Sequence, residues 1–354
     1  MGKGITLPRA TTARGPNSKV AKRVPRTFLR IALTALSIAT LLLAIVALIA
    51  RTQPITNFPS LVLAVGSPYT WLAAVAALAI TASCRRLVLS IIAVVVVVAT
   101  LGVQVSWYYL GRPADVGAYQ EIRVLSSNLR LGRADPGFIV KLAGDTADVV
   151  TVAELTAEEV QRLQRAGIEE AFPYSHLIPA PGAGGIGMWS RYPLTVVSEP
   201  RHRGVVVPAA RLEISGLRFR PLLGSIHVYS PVAGDDNTVA DWNDGMTSAK
   251  RQLDSFARIA GPAAVIVGGD YNSTPDMRQF RDLLTNGYRD AVEQSGSGFA
   301  PTFPSNRTIP PVLTIDHVLT RNAAAESVRT VKVPGSDHRA LLATVRVPID
   351  PTAS

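Results

Sequence analysis

Three long and almost continuously apolar stretches lie near the N-terminus, ahead of a region of shorter apolar runs. They span residues 28–50, 61–82 and 87–110. Each has close to the ~20 residues that a helix needs to cross a bilayer core, and none contains an acidic residue or the polar face of a soluble amphipathic helix. Because the first stretch is long and two more follow it, a cleaved signal peptide does not explain the pattern. The pattern predicts three transmembrane helices.

The basic residues predict how these helices are oriented. Eight Lys and Arg residues lie before or at the start of the first stretch, the next loop carries only Arg51, and the loop after the second stretch carries Arg85 and Arg86. Since cytoplasmic loops are enriched in Lys and Arg, the N-terminus is expected in the cytoplasm and the C-terminal region outside it. Residues 1–27 are expected to form a disordered basic cytoplasmic tail, and the aromatic residues 107–109 fit an outer membrane interface.

The remainder of the chain alternates β-branched runs with turn residues and amphipathic segments, which predicts a mixed α/β domain at residues 119–348, between a linker at 111–118 and a tail at 349–354. Strands are predicted at 122–127, 148–152, 186–190, 205–214, 217–229, 264–269, 313–319 and 340–347. Helices are predicted at 137–143, 157–165, 239–259 and 277–284. This order of elements is compatible with two packed sheets.

The net charge of +10 belongs to the membrane region and not to the C-terminal domain. Residues 1–113 contain 12 Lys and Arg and no acidic residue, and the other residues contain 24 Lys and Arg against 26 Asp and Glu. A near-neutral domain disfavours nucleic acid as the partner, since duplex binding depends on clustered basic residues. Cys84 is the only cysteine, which excludes an intramolecular disulfide and a cysteine-based zinc site.

Polar residues with catalytic chemistry follow or interrupt the predicted strands near their ends. They are Asn128, Glu154, His227, Asp270, Asn272, Asp316, His317, Asp337 and His338. Taken singly, each is also explained as a turn, cap or surface residue. Three short motifs group them further: Gly-Gly-Asp-Tyr-Asn-Ser-Thr-Pro at 268–275, Ile-Asp-His-Val at 315–318 and Gly-Ser-Asp-His-Arg-Ala at 335–340.

The order of these motifs over residues 121–347 resembles the endonuclease/exonuclease/phosphatase family, also called the deoxyribonuclease I-like superfamily. The resemblance implies a four-layer α/β/β/α sandwich and the activity of a metal-dependent phosphoric ester hydrolase. Ala153 departs from the family pattern, which usually has Gln before the metal-binding Glu, so the support of Glu154 is in question but not its role as ligand. A serine-hydrolase interpretation with Ser190 or Ser336 lacks a Gly-x-Ser-x-Gly elbow.

The resemblance also assigns roles to individual residues. The metal ligands would be Asn128, Glu154 and Asp337, whose oxygen atoms suit Mg²⁺ or Mn²⁺. The catalytic set would be His338, Asp316, Asp270, His227 and Asn272.

Within that set, His338 would take a proton from water while Asp316 orients its ring. Asp270 would align the nucleophile or assist the leaving group, and Asn272 and His227 would hydrogen-bond the phosphoryl oxygens.

Three substrates or roles remain open. The membrane anchor and the neutral domain favour a phosphate ester in a lipid headgroup or envelope component. A membrane-tethered nuclease would need a basic face, for which the candidates are Arg201, Arg203, Arg211, Arg218 and Arg220. The third is a non-catalytic phosphate-binding scaffold. The segment 232–245, with Asp235, Asp236, Asp241 and Asp244 around Trp242, is predicted to form an acidic rim of the substrate cleft, and a solvated connection explains it equally well.

Overall fold

A computed structural model describes residues 1, 26–197, 207–233 and 238–353. Most of the predicted tail at 1–27 lies outside this range, as do Arg201, Arg203, Asp235 and Asp236 from the predicted basic face and acidic rim.

Three helical stretches in the described residues are long and apolar enough to cross a membrane: Thr27–Ala50, Phe58–Ser83 and Leu87–Tyr108. The helices that form them are α1 Arg26–Ala50, α2 Phe58–Gly66, α3 Thr70–Ser83 and α4 Leu87–Tyr108. The second stretch is interrupted by a 3₁₀ turn at Ser67–Tyr69, where Pro68 cannot donate a helical hydrogen bond. The prediction of three membrane-length apolar helices is confirmed, with the second one broken.

The C-terminal part is built on two six-stranded sheets. Its strands are β1 Tyr119–Asn128, β2 Val149–Ala153, β3 Tyr174–Ile178, β4 Ile186–Ser190, β5 Leu194–Val196, β6 Ala209–Leu212, β7 Leu222–His227, β8 Val265–Asp270, β9 Arg289–Asp290, β10 Asp316–Arg321, β11 Ala324–Lys332 and β12 Arg339–Pro348. The first sheet has the order β11-β12-β1-β2-β4-β3, and the second has the order β5-β6-β7-β8-β10-β9. The pairs β1/β2 and β7/β8 are parallel, whereas β1/β12 and β8/β10 are antiparallel.

Helices cover the outer face of each sheet. They are α5 Pro136–Thr146, α6 Ala157–Arg165, α7 Ile168–Ala171, α8 Thr238–Ala260 and α9 Arg278–Leu283. The short helix α10 Ala291–Ser295 instead packs against β11, and its Ala291 and Val292 belong to the core between the sheets. Asp135 begins α5 by accepting the backbone N–H of Phe138, and Pro136 occupies the first turn, where its missing N–H costs nothing.

Successive side chains of a strand point to opposite faces of its sheet, so each sheet has one set of side chains facing the other sheet and one set facing the helices. In β1, Ile122 and Val124 are buried in the core between the sheets, while Leu125 packs in the core under α5 and α6. A third core lies beneath α8 and α9 and includes Phe256 and Phe280. The expected four-layer α/β/β/α sandwich is confirmed.

Several predicted boundaries differ from the structure. The predicted strand at 217–229 is shortened to β7, which Pro221 precedes, and the edge strand β11 is not predicted at all. A register shift between Ala325 and Ser327 breaks the period-two pattern of β11, which explains why alternation does not reveal it. The acidic-rim prediction is wrong for Trp242, which lies in α8 and is fully buried.

Candidate functional site

The two sheets bring the side chains of the predicted site to one end of the sandwich. Asn128, Glu154, His227 and Asp270 end or follow β1, β2, β7 and β8, the four strands that form the two parallel pairs. Because parallel strands end at the same sheet edge, each pair places its polar residues side by side. The antiparallel strands β10 and β12 begin at this edge, so Asp316 and His338 enter the same cluster.

Asp270 lies at the centre of this cluster and its side chain is 1% exposed. Its Oδ2 accepts a hydrogen bond from Asn128 Nδ2 at 2.9 Å. The same oxygen lies 3.7 Å from His338 Nε2 and 3.8 Å from His227 Nε2. Burial and the charge of Asp316 raise the pKa of Asp270 to about 6, although both histidines oppose this effect. Asp270 is therefore held among groups that could share a proton or a cation with it.

His338 and Asp316 form a buried pair, with His338 Nδ1 2.8 Å from Asp316 Oδ2. A proton on Nδ1 is required for this hydrogen bond, which leaves Nε2 facing Asp270. Burial lowers the pKa of His338, but the charges of Asp316 and Asp270 outweigh it and raise the pKa to about 10. The ring of Phe303 lies 5.0 Å from the imidazole centre and limits the space on that side.

Glu154 and Asn128 are joined across the first sheet. Asn128 Nδ2 donates to Glu154 Oε1 at 3.0 Å, and the backbone N–H of Leu131 donates to Glu154 Oε2 at 2.8 Å. Glu154 has φ 58°, an uncommon conformation for a residue with a side chain. Ser336 Oγ donates to the Asn128 carbonyl at 2.8 Å and accepts the N–H of His338 at 3.0 Å, so it connects this pair to His338.

His227 and Asn272 lie next to Asp270 with their polar groups partly engaged. His227 Nδ1 is 2.9 Å from the Ala183 carbonyl, so this nitrogen carries the proton and Nε2 points to the cluster. The Asn272 amide donates to the Val228 carbonyl at 2.8 Å and lies 3.3 Å from Asp270 Oδ2. Its positive φ of 46° marks a second strained position at the site.

Asp337 is placed differently from the other predicted ligands. Its Oδ2 lies 3.7 Å from Arg130 Nε, and its side chain is 28% exposed. Asp337 therefore forms an ion pair at the edge of the cluster, in contrast to the buried carboxylates of Asp270 and Asp316.

The cluster has the chemistry of a divalent-metal site. Asp270, Asp316 and His338 each offer one ligand atom, and these atoms lie within 4.8 Å of one another. Asp316 Oδ1 is buried and has no hydrogen-bond partner among the described residues. A buried carboxylate oxygen in this state is favourable only when a cation or proton compensates it. Together with Glu154, the oxygen-rich set fits a hard cation such as Mg²⁺ or Mn²⁺.

His317 and Trp242 make further contacts beside the site that were not predicted from the sequence. His317 Nδ1 lies 2.7 Å from Asp290 Oδ2, and its Nε2 lies 3.0 Å from the Ser273 carbonyl. Trp242 Nε1 donates to Ser273 Oγ at 3.1 Å. Strand alternation indicates where His317 lies. Because Asp316 faces the cluster, the next side chain along the strand points to the opposite face.

Two motif glycines are required by close backbone approaches. A Cβ on Gly269 would lie 1.9 Å from the Ile226 carbonyl oxygen, in the parallel strand beside it. A Cβ on Gly335 would lie 2.2 Å from the Arg133 carbonyl oxygen, and this glycine has φ 83°. Both glycines therefore let the loops that carry Asp270 and His338 approach the neighbouring backbone.

Comparison with known proteins gives a consistent result. Among solved structures, the endonuclease/exonuclease/phosphatase from Bacteroides vulgatus has a TM-score of 0.50 at 17% identity, covering 64% of this chain and 99% of that chain. D. rerio TDP2, complexed with single strand DNA product, has a TM-score of 0.50 at 18% identity, covering 64% of this chain and 99% of that chain. At these identities the likeness concerns the fold. No curated protein matches the sequence. The family model described as Endonuclease/Exonuclease/phosphatase family matches residues 125–338, and the chain therefore belongs to this family.

Proposed function

We propose that residues 119–348 form a metal-dependent phosphoesterase, held at the outer face of a membrane by the three apolar helices, that hydrolyses a phosphate ester of a lipid headgroup or envelope component. One observation carries the proposal of hydrolysis: both sheets deliver buried acid, amide and imidazole groups to the carboxylate of Asp270. Members of this family act on phosphoesters, a reaction that needs an aligned water and compensation of the phosphoryl charge.

His338 is proposed as the base that takes a proton from the attacking water. The contact of Nδ1 with Asp316 fixes the ring so that Nε2 faces the cluster. Asp270 would align the water or assist the leaving oxygen from its position beside His338 and His227. His227 would hydrogen-bond a phosphoryl oxygen through Nε2 when this nitrogen carries a proton. Asn272 would do so after its amide leaves the Val228 carbonyl.

Glu154 is proposed to hold Mg²⁺ or Mn²⁺ beside Asp270, with Asp337 at the edge of the same region. Asn128 would join it through its amide oxygen after the amide turns over, since its Nδ2 now faces both carboxylates. The high pKa of His338 reflects uncompensated carboxylates, so this residue can serve as a base near neutral pH only when their charge is offset. A divalent cation supplies that offset and also stabilises negative charge on the phosphoryl oxygens.

Two observations support a substrate at the membrane surface. The membrane helices contact the sandwich beside the catalytic cluster, since Tyr108 at the end of α4 shares a 3.0 Å hydrogen bond with Thr314. The charge count supports the same conclusion, because the basic excess lies outside the sandwich. Of the candidate basic face, Arg218 and Arg220 are paired with Asp350 and Glu213 at 2.6 Å and 3.1 Å. These pairs reduce the positive charge available to a nucleic-acid backbone.

The orientation is proposed from the charge distribution. Basic residues cluster before α1 and between α3 and α4, which favours a cytoplasmic N-terminus and an extracytoplasmic sandwich. A reporter fused after Ser354 should be active outside the cytoplasm, and activity only inside would refute this topology.

The test of function uses the full-length chain in lipid nanodiscs. Hydrolysis of phospholipids, of bis(p-nitrophenyl) phosphate and of single-stranded DNA is measured with Mg²⁺ and with EDTA. We expect Mg²⁺-dependent hydrolysis of the phospholipids that His338→Ala abolishes. His176→Ala is the matched control, because His176 lies in β3, outside the cluster. Activity that survives His338→Ala or EDTA would refute the mechanism. A preference for DNA would establish the nuclease alternative, and phosphate-ester binding without turnover would establish the scaffold.

A further inference from the structure

A buried carboxylate connects the catalytic cluster to the membrane helices. The loop after β8, residues 271–277, contains Asn272 and is named the motif loop here. Asp276 in this loop is 2% exposed, and its Oδ1 accepts hydrogen bonds from Arg51 Nε at 2.7 Å and from Gln104 Nε2 at 3.0 Å. Arg51 follows α1 and Gln104 lies in α4, so both donors come from the membrane region.

These contacts determine where Asp276 can lie. A buried carboxylate without its charged partner is strongly destabilising, so the position of Asp276 depends on Arg51 beside it. Arg281 strengthens the connection because its two terminal nitrogens donate to the Pro275 carbonyl, at 2.6 Å, and to the Arg51 carbonyl. The motif loop and the end of α1 are thus joined by side chain and backbone together.

The segment after α1 is also part of the sandwich core. Ile55 and Leu61 are 1% and 3% exposed and pack in the same core as Phe280 of α9. The Ile55 carbonyl accepts hydrogen bonds from Gln279 Nε2 at 3.0 Å and from Asn243 Nδ2 at 2.9 Å. Core packing and two partly buried hydrogen bonds distinguish this contact from that of a flexible tether.

The loop that precedes Asp316 is contacted from the same side. Tyr108 and Thr314 share the hydrogen bond described above, and the Tyr69 hydroxyl donates to the Val312 carbonyl. The loops that carry Asn272 and Asp316 are therefore both held by residues of the membrane helices.

We infer that Arg51 and Gln104 act through Asp276 as positioning residues, so that the membrane region is a working part of the active site as well as an anchor. The inference rests on the proposed function. Hydrolysis requires the motif loop to be held within a fraction of an ångström, and the membrane helices support this loop on one side.

The test compares Arg51→Gln, Asp276→Asn and the double variant in full-length chain in nanodiscs. The control is Asp282→Asn, which removes an exposed ion pair with Arg278 from the neighbouring helix α9. The probe is bis(p-nitrophenyl) phosphate with Mg²⁺. We expect each single variant to lower kcat by about 10- to 100-fold with KM changed less than about twofold. The double variant should recover part of the loss, because two neutral amides can hydrogen-bond to each other.

A second measurement does not depend on turnover. Hydrogen–deuterium exchange of the peptide 271–277 should be faster in both single variants than in wild type and in Asp282→Asn. An unchanged kcat in folded single variants, or unchanged exchange of this peptide, would overturn the inference. If wild type hydrolyses no phosphate ester but the exchange still rises in the single variants, the proposed function fails and the positioning contact stands.

Discussion

Replacing Asp316 by Asn tests the catalytic proposal most directly. Asp316 is 1% exposed and lies 2.8 Å from His338 Nδ1. At this separation and an effective dielectric of ~20, the attraction between carboxylate and imidazolium is about 4–6 kcal/mol. One pKa unit corresponds to about 1.36 kcal/mol, so removal of this charge is large enough to cancel the raised pKa of His338.

Asp316→Asn should change both the charge and the tautomer of His338. The pKa of His338, measured by NMR titration of the imidazole nitrogens, should fall to or below its ordinary range, because burial then acts with less opposition. The amide NH₂ can also face Nδ1, which moves the ring proton to Nε2 and removes the site that accepts a proton from water. The lower pKa alone would not reduce kcat, but the changed tautomer and the lost stabilisation of the imidazolium should lower kcat by about 10²- to 10⁴-fold.

Asp290→Asn is the matched control, because Asp290 forms another buried pair, with His317 Nδ1 at 2.7 Å. Both substitutions should lower the Tm, since each leaves a buried imidazole without its carboxylate. Only Asp316→Asn should produce the large loss of kcat in folded protein. A kcat for Asp316→Asn within about threefold of wild type, at saturating Mg²⁺, would refute the assignment of His338 as an oriented base.

Three further predictions concern the metal, a buried acid and a glycine. Glu154→Gln should lower Mg²⁺-dependent kcat by about 10²-fold or more with the Tm little changed, and an unchanged Mg²⁺ dependence would exclude Glu154 as a ligand. Burial raises the pKa of Glu159 to about 7, so its ionisation destabilises the fold as the pH rises from about 4.5 through about 7. Glu159→Gln should therefore raise the free energy of unfolding by about 1–2 kcal/mol at pH 8 and by little at pH 4. An equal change in this free energy at both pH values would contradict the reasoning. Gly269→Ala should lower the free energy of unfolding, measured in urea, by about 3 kcal/mol or more, because its Cβ would meet the Ile226 carbonyl. Gly144→Ala in α5, where a Cβ meets no atom, is the control and should leave this free energy unchanged or raise it.

Much of the fold was accessible from the sequence because apolar periodicity reports burial. The three membrane-length stretches and the helix Ala157–Arg165 were predicted at or near their observed bounds. Strand β4, Ile186–Ser190, was predicted at its observed bounds. The edge strands β3, β5, β9 and β11 were not predicted, since an edge strand is short or exposes part of its length and carries a weaker pattern. Trp242 fell both in the predicted helix 239–259 and in the predicted acidic rim, and the structure agrees with the helix.

The sequence by itself determined which residue types were available and in what order. The motifs that contain Asp270, Asp316 and His338 indicated phosphoester chemistry, because a carboxylate, an oriented imidazole and oxygen ligands are what such a reaction needs. Strand ends also indicated where polar side chains could leave a buried sheet.

Only the tertiary structure decided the contacts between distant segments. It paired Arg51 with Asp276, joined Tyr108 to Thr314, and placed Asp337 against Arg130. Local sequence cannot encode such pairings, because they arise from the packing of elements that lie far apart along the chain. The sequence therefore predicted three membrane-length apolar helices and a candidate catalytic set, and the packing of the sandwich brings these two parts into contact.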